Sequence, residues 1–467
     1  MSRFRKLLCL AGLFGLTTVQ LPVSSGSQSV GSDLGIVEEH PIEFTSPAIK
    51  EGLQAQIVKR RITIQPGILW VNDRQIVLKK ELIVDVPNCP LLAVKNEPLP
   101  LTAAGNKGIS SKHLLKASRA CDTDQAPIQG VIAPGSIRVK PSTADANYFK
   151  QKVDYAFDLS WGSLSRMAEG STIKDGQTVY CDYTYFTRRI DTLIVDENGK
   201  MKLVTGKPNR TAPEPPAIDH HCLPLANIYA EPGAEPLKVS DFMPISAVGP
   251  AIESTQRREA NRRALHRSLE KLKAGHPIKI CFWGDSITAG ADASSYDYSF
   301  ANTVVMKLKE KFPNAHIEAV NAGIGGSNTK GRLKDFETQV AAHKPDLIIV
   351  EFVNDVHQPR EVLEVNYRLV ANKADKAGAE LLLVNPHLPA PVLLGVVDWG
   401  LVSKAPFYSV LRKFAAEHDV AFADVTKRWE RLQKEGLTPE LLLVDRLVHP
   451  NNKGHGLYAE EILKCFD

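Results

Sequence analysis

Two groups of polar residues in the second half of the chain have the side chains needed for acyl transfer. Gly284-Asp285-Ser286 places a serine directly after an apolar run, and a serine on a tight turn between strand and helix is exposed to substrate. Near the C-terminus, Asp445 precedes His449, and an aspartate close to a histidine can orient the imidazole and stabilise its charged form. Together these side chains could act as nucleophile, orienting acid and general base.

Two further groups could stabilise an oxyanion. The Gly-rich turn at 321–329, which contains Gly326, lets a backbone N–H approach a substrate closely. Asn354 can donate a hydrogen bond from its side chain. Taken singly, each group also fits an ordinary structural role: the Gly-Asp-Ser and Asn354 groups as helix caps, the Gly-rich group as a strand-to-helix turn. It is their combination in one region that indicates a complete site for acyl transfer.

The elements around these groups alternate between strand and helix from residue 255 onward. Near-continuous apolar strands that alternate with helices predict a parallel sheet covered on both faces. Sites in such sheets form at the carboxyl ends of the strands, where we expect all four groups to lie. The predicted strands are 278–283, 317–321, 346–352, 380–385 and 420–424, and the predicted helices lie near 255–274, 299–311, 329–344, 361–379, 406–418 and 452–466.

This ordered set of motifs resembles the SGNH/GDSL hydrolase family over residues 255–467. Its four blocks are matched by Gly284-Asp285-Ser286, by Gly326, by Asn354-Asp355, and by Asp445 with His449-Pro450. The resemblance implies an α/β fold, a flavodoxin-like three-layer α/β/α domain with five parallel strands. It also implies Ser286 as nucleophile, His449 as base and Asp445 as orienter, with an oxyanion hole formed by the N–H groups of Ser286 and Gly326 and the side chain of Asn354.

The chain departs from the family pattern at two positions. Phe352 stands where the third block usually has glycine, and we expect it to narrow the pocket beside Asn354. One extra residue separates Asp445 from His449, which a bulged turn can absorb, and the aspartate is expected to be less indispensable than the histidine. Three other histidines are interpreted as structural: His357, His387 and His455. His387, at the end of the fourth strand, is also a candidate to line the pocket.

The first half of the chain is different in character. Short runs of branched residues separated by Pro, Gly, Asn or Asp predict a β-rich, sandwich-like accessory region at 28–250, of one or two modules. A hairpin is expected at 190–203. The Asp-His-His-Cys stretch at 219–222 is interpreted as a loop. Residues 1–27 match a signal peptide, since a short basic segment is followed by an apolar run and then by small residues. The apolar run is shorter than the ~20 residues a membrane-spanning helix needs.

Composition limits the remaining possibilities. The chain has 467 residues, 43% hydrophobic and 24% charged, as in globular proteins with more than one domain. A net charge of +4 gives no support to nucleic-acid binding. The cysteines beyond the signal segment form no CxxC pair, so no zinc site is expected, although export permits disulfides among the first four. These cysteines are Cys89, Cys121, Cys181, Cys222, Cys281 and Cys465, and Cys281 is expected to be a buried thiol.

The sequence therefore predicts an exported serine esterase that works through an acyl-enzyme and needs no metal or cofactor. The first expectation for its substrate is an acetylated polysaccharide or a related carbohydrate ester. A lipase, a lysophospholipase or a thioesterase would use the same residues. The alternative from another class is a surface-binding or structural protein whose hydrolase domain is inactive.

Overall fold

The computed structural model describes residues 41–103, 113–119, 128, 130–144, 147–233, 236–246 and 254–467. The predicted signal peptide at 1–27, Cys121 and the predicted boundary near residue 250 lie outside these residues. In the described part of the chain, no helix is long and apolar enough to cross a membrane.

The N-terminal region is strand-rich, and its named strands pair antiparallel around two hydrophobic cores. One core joins side chains from 44–86 to others from 193–242, and the second lies within 99–183. In several strands buried and exposed residues alternate, because successive side chains of a strand point to opposite faces. The strands are β1 (Ile42–Glu43), β2 (Ile49–Gly52), β3 (Gln54–Val58), β4 (Arg61–Ile64), β5 (Gly67–Val71), β6 (Arg74–Leu78), β7 (Leu82–Asp85), β8 (Leu91–Leu101), β9 (Arg138–Lys140), β10 (Tyr155–Asp158), β11 (Ser163–Arg166), β12 (Gln177–Phe186), β13 (Arg189–Val195), β14 (Met201–Val204), β15 (Leu223–Ala230) and β16 (Phe242–Pro244).

These strands form five small sheets, with orders β1-β3-β4-β7, β2-β5-β6, β8-β12-β9, β10-β11 and β14-β13-β15-β16. The predicted hairpin is present as β13 and β14, which pair antiparallel. Its turn contains Gly199 at φ 78°, a left-handed conformation that favours glycine.

The C-terminal region contains one sheet of five strands, in the order β18-β17-β19-β20-β21, with every pair parallel. The three central strands are buried along nearly their whole length, because helices cover both faces and neighbours flank both edges. This confirms the predicted α/β fold, and each predicted strand is found within a residue or two of its expected ends. The strands are β17 (Ile278–Gly284), β18 (Ile317–Asn321), β19 (Leu347–Glu351), β20 (Glu380–Asn385) and β21 (Ala421–Asp424).

The helices differ from expectation mainly in being broken. The predicted helix at 329–344 is divided into two short α-helices by a 3-10 turn, and the Arg332 guanidinium donates to the carbonyls of Gly284 and Ala322. The short helix that follows β21 directly was not predicted. The helices are α1 (Thr255–Ala264), α2 (His266–Ala274), α3 (Ser286–Ala289), α4 (Phe300–Lys311), α5 (Thr329–Arg332), α6 (Phe336–Gln339), α7 (Arg360–Lys376), α8 (Trp399–Val402), α9 (Pro406–Glu417), α10 (Val425–Arg431) and α11 (Asn452–Leu463).

The two regions meet at the turn after α10. The Asn227 side chain donates to the carbonyl of Gly436 at 2.8 Å, and the Ser246 N–H donates to the carbonyl of Lys434 at 2.8 Å. Ile190 and Met243 of the β-rich region belong to the same hydrophobic core as the parallel sheet. The contact is therefore buried and specific, a feature that the sequence did not indicate.

None of the described cysteines forms a disulfide bond. Of the four considered for disulfides, Cys89, Cys181 and Cys222 are unbridged, and Cys121 lies outside the described residues. Cys281 is buried in β17, as expected.

Candidate active site

Ser286 is the first residue of α3, directly beyond the carboxyl end of β17. Asp285 caps this helix, with its Oδ1 accepting the N–H of Ile287 at 3.0 Å. Gly284 is required because a Cβ there would lie 2.0 Å from Thr288 Oγ1 and 2.1 Å from a backbone oxygen of β19. The end of β17 thus packs closely against α3 and β19. Ser286 follows at the carboxyl edge of the sheet, where sites form.

His449 lies in the loop before α11, and its Nε2 is 3.0 Å from Ser286 Oγ. This is the distance needed for proton transfer from a nucleophilic hydroxyl. The imidazole is one-fifth exposed, with a side-chain accessibility of 21%, so the ring borders solvent while its inner edge is enclosed. The structure therefore brings together the serine and the histidine that the sequence predicted.

Asp445 lies on the other edge of the imidazole, with its Oδ2 2.9 Å from His449 Nδ1. Its Oδ1 accepts the backbone N–H groups of Leu447, Val448 and His449 at 2.9, 2.8 and 3.0 Å. The extra residue in this motif is absorbed at Arg446, whose φ of 61° is left-handed. The longer spacing therefore still presents a carboxylate to the histidine.

A second carboxylate at this histidine was not predicted. Asp292, in the loop between α3 and α4, has its Oδ2 3.3 Å from His449 Nδ1, and its side chain is 1% exposed. It belongs to no recognisable motif and lies far from His449 in the sequence. Its position depends on how the loop returns after α3, so no signal in the sequence alone could have identified it.

The Gly-rich turn after β18 lies against Ser286. Gly323 is required by space, since a Cβ there would be 2.4 Å from the Ala289 nitrogen of α3. Gly326 is required by conformation, since its φ is 69° while the space around it is open. A Cβ on Gly325 would lie 3.8 Å from the Cβ of Ser286, which places this turn beside the serine.

Asn354 follows β19 and is tied to the same turn. Its Nδ2 donates to Asp285 Oδ2 at 3.1 Å and to the carbonyl of Ser327 at 3.0 Å. Both amide hydrogens are therefore engaged, and the side chain links the turn at Asp285 and Ser286 to the Gly-rich turn. The predicted narrowing by Phe352 is wrong, because this fully buried ring packs edge-on against Trp283, at 4.9 Å between centroids, in the core of the sheet.

Electrostatics on the two sides of Ser286 differ. Burial lowers the pKa of His449, but its contacts with Asp292 and Asp445 outweigh burial and raise it to about 10. Beneath the serine, burial raises the pKa of Asp285 to about 7, and burial together with Asp285 raises the pKa of Glu351 well above its usual range. The imidazole is thus biased toward its charged form and the buried Glu351 toward its neutral form.

Two of the remaining histidines are structural. His455 is buried, accepts the Phe300 N–H at its Nδ1 and contacts the carbonyl of Ala291 through Nε2 at 3.0 Å. Burial lowers its pKa to about 4. His387 does not line the site, because its ring is fully buried with its Nδ1 2.6 Å from the Tyr458 hydroxyl. His357 is exposed after β19, and the predicted loop at 219–222 is a loop.

Protein-family models and a curated protein are similar to parts of this chain. Residues 282–457 match the GDSL-like lipase/acylhydrolase family, and residues 148–247 match a domain of unknown function (DUF4815). An acetylxylan esterase from Geobacillus stearothermophilus is 26% identical over 219 residues, which are 41% of this chain and 95% of the relative.

Two solved structures are similar to part of the chain. A two-domain esterase active on acetylated mannans is 25% identical, with 44% of this chain and 53% of that chain covered and a TM-score of 0.38. The chain thus spans about half the length of that esterase. The acetylxylan esterase Axe2 of Geobacillus stearothermophilus is 24% identical, with 40% and 94% covered and a TM-score of 0.36. From its motifs, its parallel sheet and the family match, the C-terminal part of the chain belongs to the SGNH/GDSL hydrolases and is a carboxylic ester hydrolase domain of that family.

Proposed function

We propose that this protein is a serine esterase that removes acetyl groups from a polysaccharide or a related carbohydrate ester. The observation that supports the chemistry most directly is the contact of 3.0 Å between Ser286 Oγ and His449 Nε2 at the carboxyl end of the sheet. The substrate class is supported by the acetylxylan esterase to which the C-terminal part is similar.

In the proposed reaction, Ser286 Oγ attacks the ester carbonyl carbon while His449 Nε2 takes the hydroxyl proton. The tetrahedral oxyanion is held by the N–H groups of Ser286 and Gly326 and by the Asn354 side chain. His449 then donates its proton to the leaving alcohol oxygen, which breaks the ester C–O bond and leaves an acetyl-enzyme. Water, deprotonated by His449, then attacks the acetyl carbonyl carbon. As this second tetrahedral intermediate collapses, the bond to Ser286 Oγ breaks, His449 returns the proton to Oγ, and acetate is released.

Asp445 is assigned the role of orienting His449. Three backbone N–H groups hold one of its oxygens, so only the other is directed at the imidazole. Burial raises the pKa of Asp445, but the hydrogen bonds from His449 and the backbone outweigh it, and the net pKa is lowered. The carboxylate therefore stays ionised and stabilises the imidazolium that forms during attack.

A cleft between the two regions provides a place for the carbohydrate chain. Its volume is about 440 Å³, and it runs past Asp292 and Asn452 of the C-terminal region. On the other side it is lined by Tyr185, Arg210 and Glu214 of the β-rich region. Hydrogen-bonding side chains beside an aromatic ring suit a sugar, which presents hydroxyl groups and apolar ring faces. We assign the β-rich region the role of binding the polymer.

One observation favours the alternative of a lipase or related enzyme for longer acyl chains. The segment after β20 exposes Val392, Leu393, Val397 and Leu401, with Val397 90% exposed. The segment lies near the His449 loop, since the Ala390 N–H donates to the carbonyl of Leu447. An apolar surface beside the site would suit an acyl chain.

A panel of aryl esters from acetyl to long acyl, together with acetylated xylan and mannan, tests the proposal. We expect the highest kcat/KM for acetyl esters and release of acetate from at least one polysaccharide. Glu214→Ala should lower kcat/KM on the polymer and leave aryl acetate hydrolysis unchanged. A clear preference for long acyl chains with no acetate release would instead establish the lipase alternative. Export, predicted from residues 1–27, belongs to the same proposal and is tested by determining the N-terminus of the mature protein.

A further inference from the structure

The loop after α3 places a buried carboxylate behind the imidazole of the site. Asp292 Oδ2 lies 3.3 Å and Asp445 Oδ2 lies 2.9 Å from the same atom, His449 Nδ1. Both oxygens lie within hydrogen-bonding distance of this atom, so the two carboxylates can share the ring N–H. We infer that Asp292 is a second positioning residue for His449, which shares with Asp445 the task of holding the imidazole. The inference rests on the proposed function of Ser286 and His449.

The backbone of this loop is organised around the carboxylate. Asp292 has a φ of 60°, a left-handed conformation that only a few non-glycine residues adopt. The preceding residue is fixed on two sides: the Ala291 N–H donates to the carbonyl of Ser286 at 2.9 Å, and His455 Nε2 contacts the Ala291 carbonyl at 3.0 Å. Strained conformations persist where the surrounding structure over-determines them, and they concentrate at functional sites. The nucleophile turn and His455 together hold Asp292 in place.

The charges that face His449 come from several elements. Asp292 follows α3, Asp445 precedes His449 in the last loop, and Asp285 lies at the start of α3. His387 and His455 also face it, but burial lowers their pKa values to about 3 and about 4, so both are neutral near neutral pH. The strongest charges on the imidazole are therefore the two aspartates at its Nδ1.

This arrangement gives the two carboxylates different parts to play. Asp445 is held ionised by three backbone N–H groups. Burial raises the pKa of Asp292, while its contact with His449 opposes that effect. Removing Asp292 takes one negative charge away from a partly enclosed imidazole, which makes the charged form of His449 less favourable. Removing Asp445 leaves one acceptor in reach of Nδ1, so the imidazole keeps its tautomer.

The test is the pH dependence of kcat/KM for an aryl acetate, measured on the full chain with Asp292→Asn, Asp445→Asn and the double variant. Asp297→Asn, an exposed acid of the same loop, is the matched control. kcat/KM rises with pH as His449 loses its proton. We expect Asp292→Asn to move this rise to lower pH by about one to three pH units, the range for loss of a neighbouring charge. The control should leave the profile in place. Asp445→Asn should stay at least about tenfold more active than the double variant, because each aspartate substitutes in part for the other.

A merely structural role would lower activity equally at every pH. A profile of Asp292→Asn that coincides with wild type after scaling therefore overturns the inference. If Asp292→Asn does not fold, the pKa of His449 is measured by NMR of ¹³C-labelled histidines in Ser286→Ala and in Ser286→Ala with Asp292→Gly, which removes the carboxylate and accepts the left-handed φ of 60°. A pKa that is the same in both refutes the role. Failure of the proposed function is seen separately, as full activity of Ser286→Ala or His449→Ala, whatever the profile of Asp292→Asn.

Discussion

The role of Asn354 can be tested by Asn354→Ala, because the structure gives this side chain a structural task as well as the proposed catalytic one. Its two amide hydrogens bond Asp285 Oδ2 and the carbonyl of Ser327. The Asp285 carboxylate would keep two other partners in the variant, the backbone N–H groups of Ile287 and of residue 354 itself. We therefore expect Asn354→Ala to fold, with a loss of about 1–3 kcal/mol in the free energy of unfolding.

The expected effect on catalysis is similar in size to the upper part of the range expected for stability. Removing one oxyanion donor typically lowers kcat by about 10²–10³, which corresponds to ~2.7–4 kcal/mol of activation free energy. Because both hydrogens of Asn354 are already engaged, a developing oxyanion must replace an existing acceptor. The net gain is therefore smaller than for an idle donor, and we expect a loss in kcat near 10², about 2.7 kcal/mol. KM should change little, since the interaction forms mainly in the transition state.

The assay is steady-state hydrolysis of an aryl acetate, with a thermal melt of each variant. Asn328→Ala is the matched control, because Asn328 caps α5 through the Gly331 N–H and does not bond Asp285. This control should lose about 1 kcal/mol of stability, the usual value of a cap, and keep its kcat. If Asn354→Ala keeps its kcat while losing stability, the reasoning is refuted, and Asn354 only joins the two turns.

Four further predictions follow, two on pH, one on His455 and one on the β-rich region. Since His449 must be neutral to act as base and its pKa is raised to about 10, kcat/KM should rise with pH through the neutral range, and a flat profile from pH 6 to 9 would contradict this. Because the pKa of His449 is higher in the folded protein, its protonation stabilises the fold, fully so below about pH 6.5, and this contribution is lost as the pH rises toward 10. Thermal melts should therefore show stability falling over the range in which activity grows. His455→Ala should lose about 3 kcal/mol in the free energy of unfolding, because the substitution removes a buried, hydrogen-bonded imidazole. Its kcat should stay well above that of His449→Ala. Equal inactivity of the two variants would contradict this assignment. Residues 255–467 alone should keep activity on aryl acetate and lose it on polysaccharide, and a soluble but wholly inactive fragment would show that the β-rich region helps to build the site.

The parallel sheet was predictable because its signal is local and repeated. Apolar runs such as 278–283 and 380–385 alternate with helical segments, and no other architecture buries such strands on both faces. The proximity of Ser286 and His449 was predicted from the combination of motifs, since only the serine directly follows a strand, β17, while the histidine lies in the loop before α11.

What the sequence could not indicate depends on tertiary contacts. Asp292 reaches His449 only because its loop turns back through a left-handed backbone held by His455. Phe352 was expected to border the pocket, but its ring packs edge-on against Trp283 in the core of the sheet. Likewise, the engagement of both Asn354 hydrogens depends on two turns from different strands, which no spacing in the sequence encodes.

Labelling with a serine-reactive aryl phosphonate tests the central claim most directly, since it asks whether Ser286 is the nucleophile. Ser286 should be labelled with one equivalent in the full chain, with loss of esterase activity in the same proportion, and peptide mapping should locate the adduct there. Ser286→Ala should be folded, inactive and unlabelled. A label on another serine, or an Ser286→Ala variant with wild-type activity, would contradict the account.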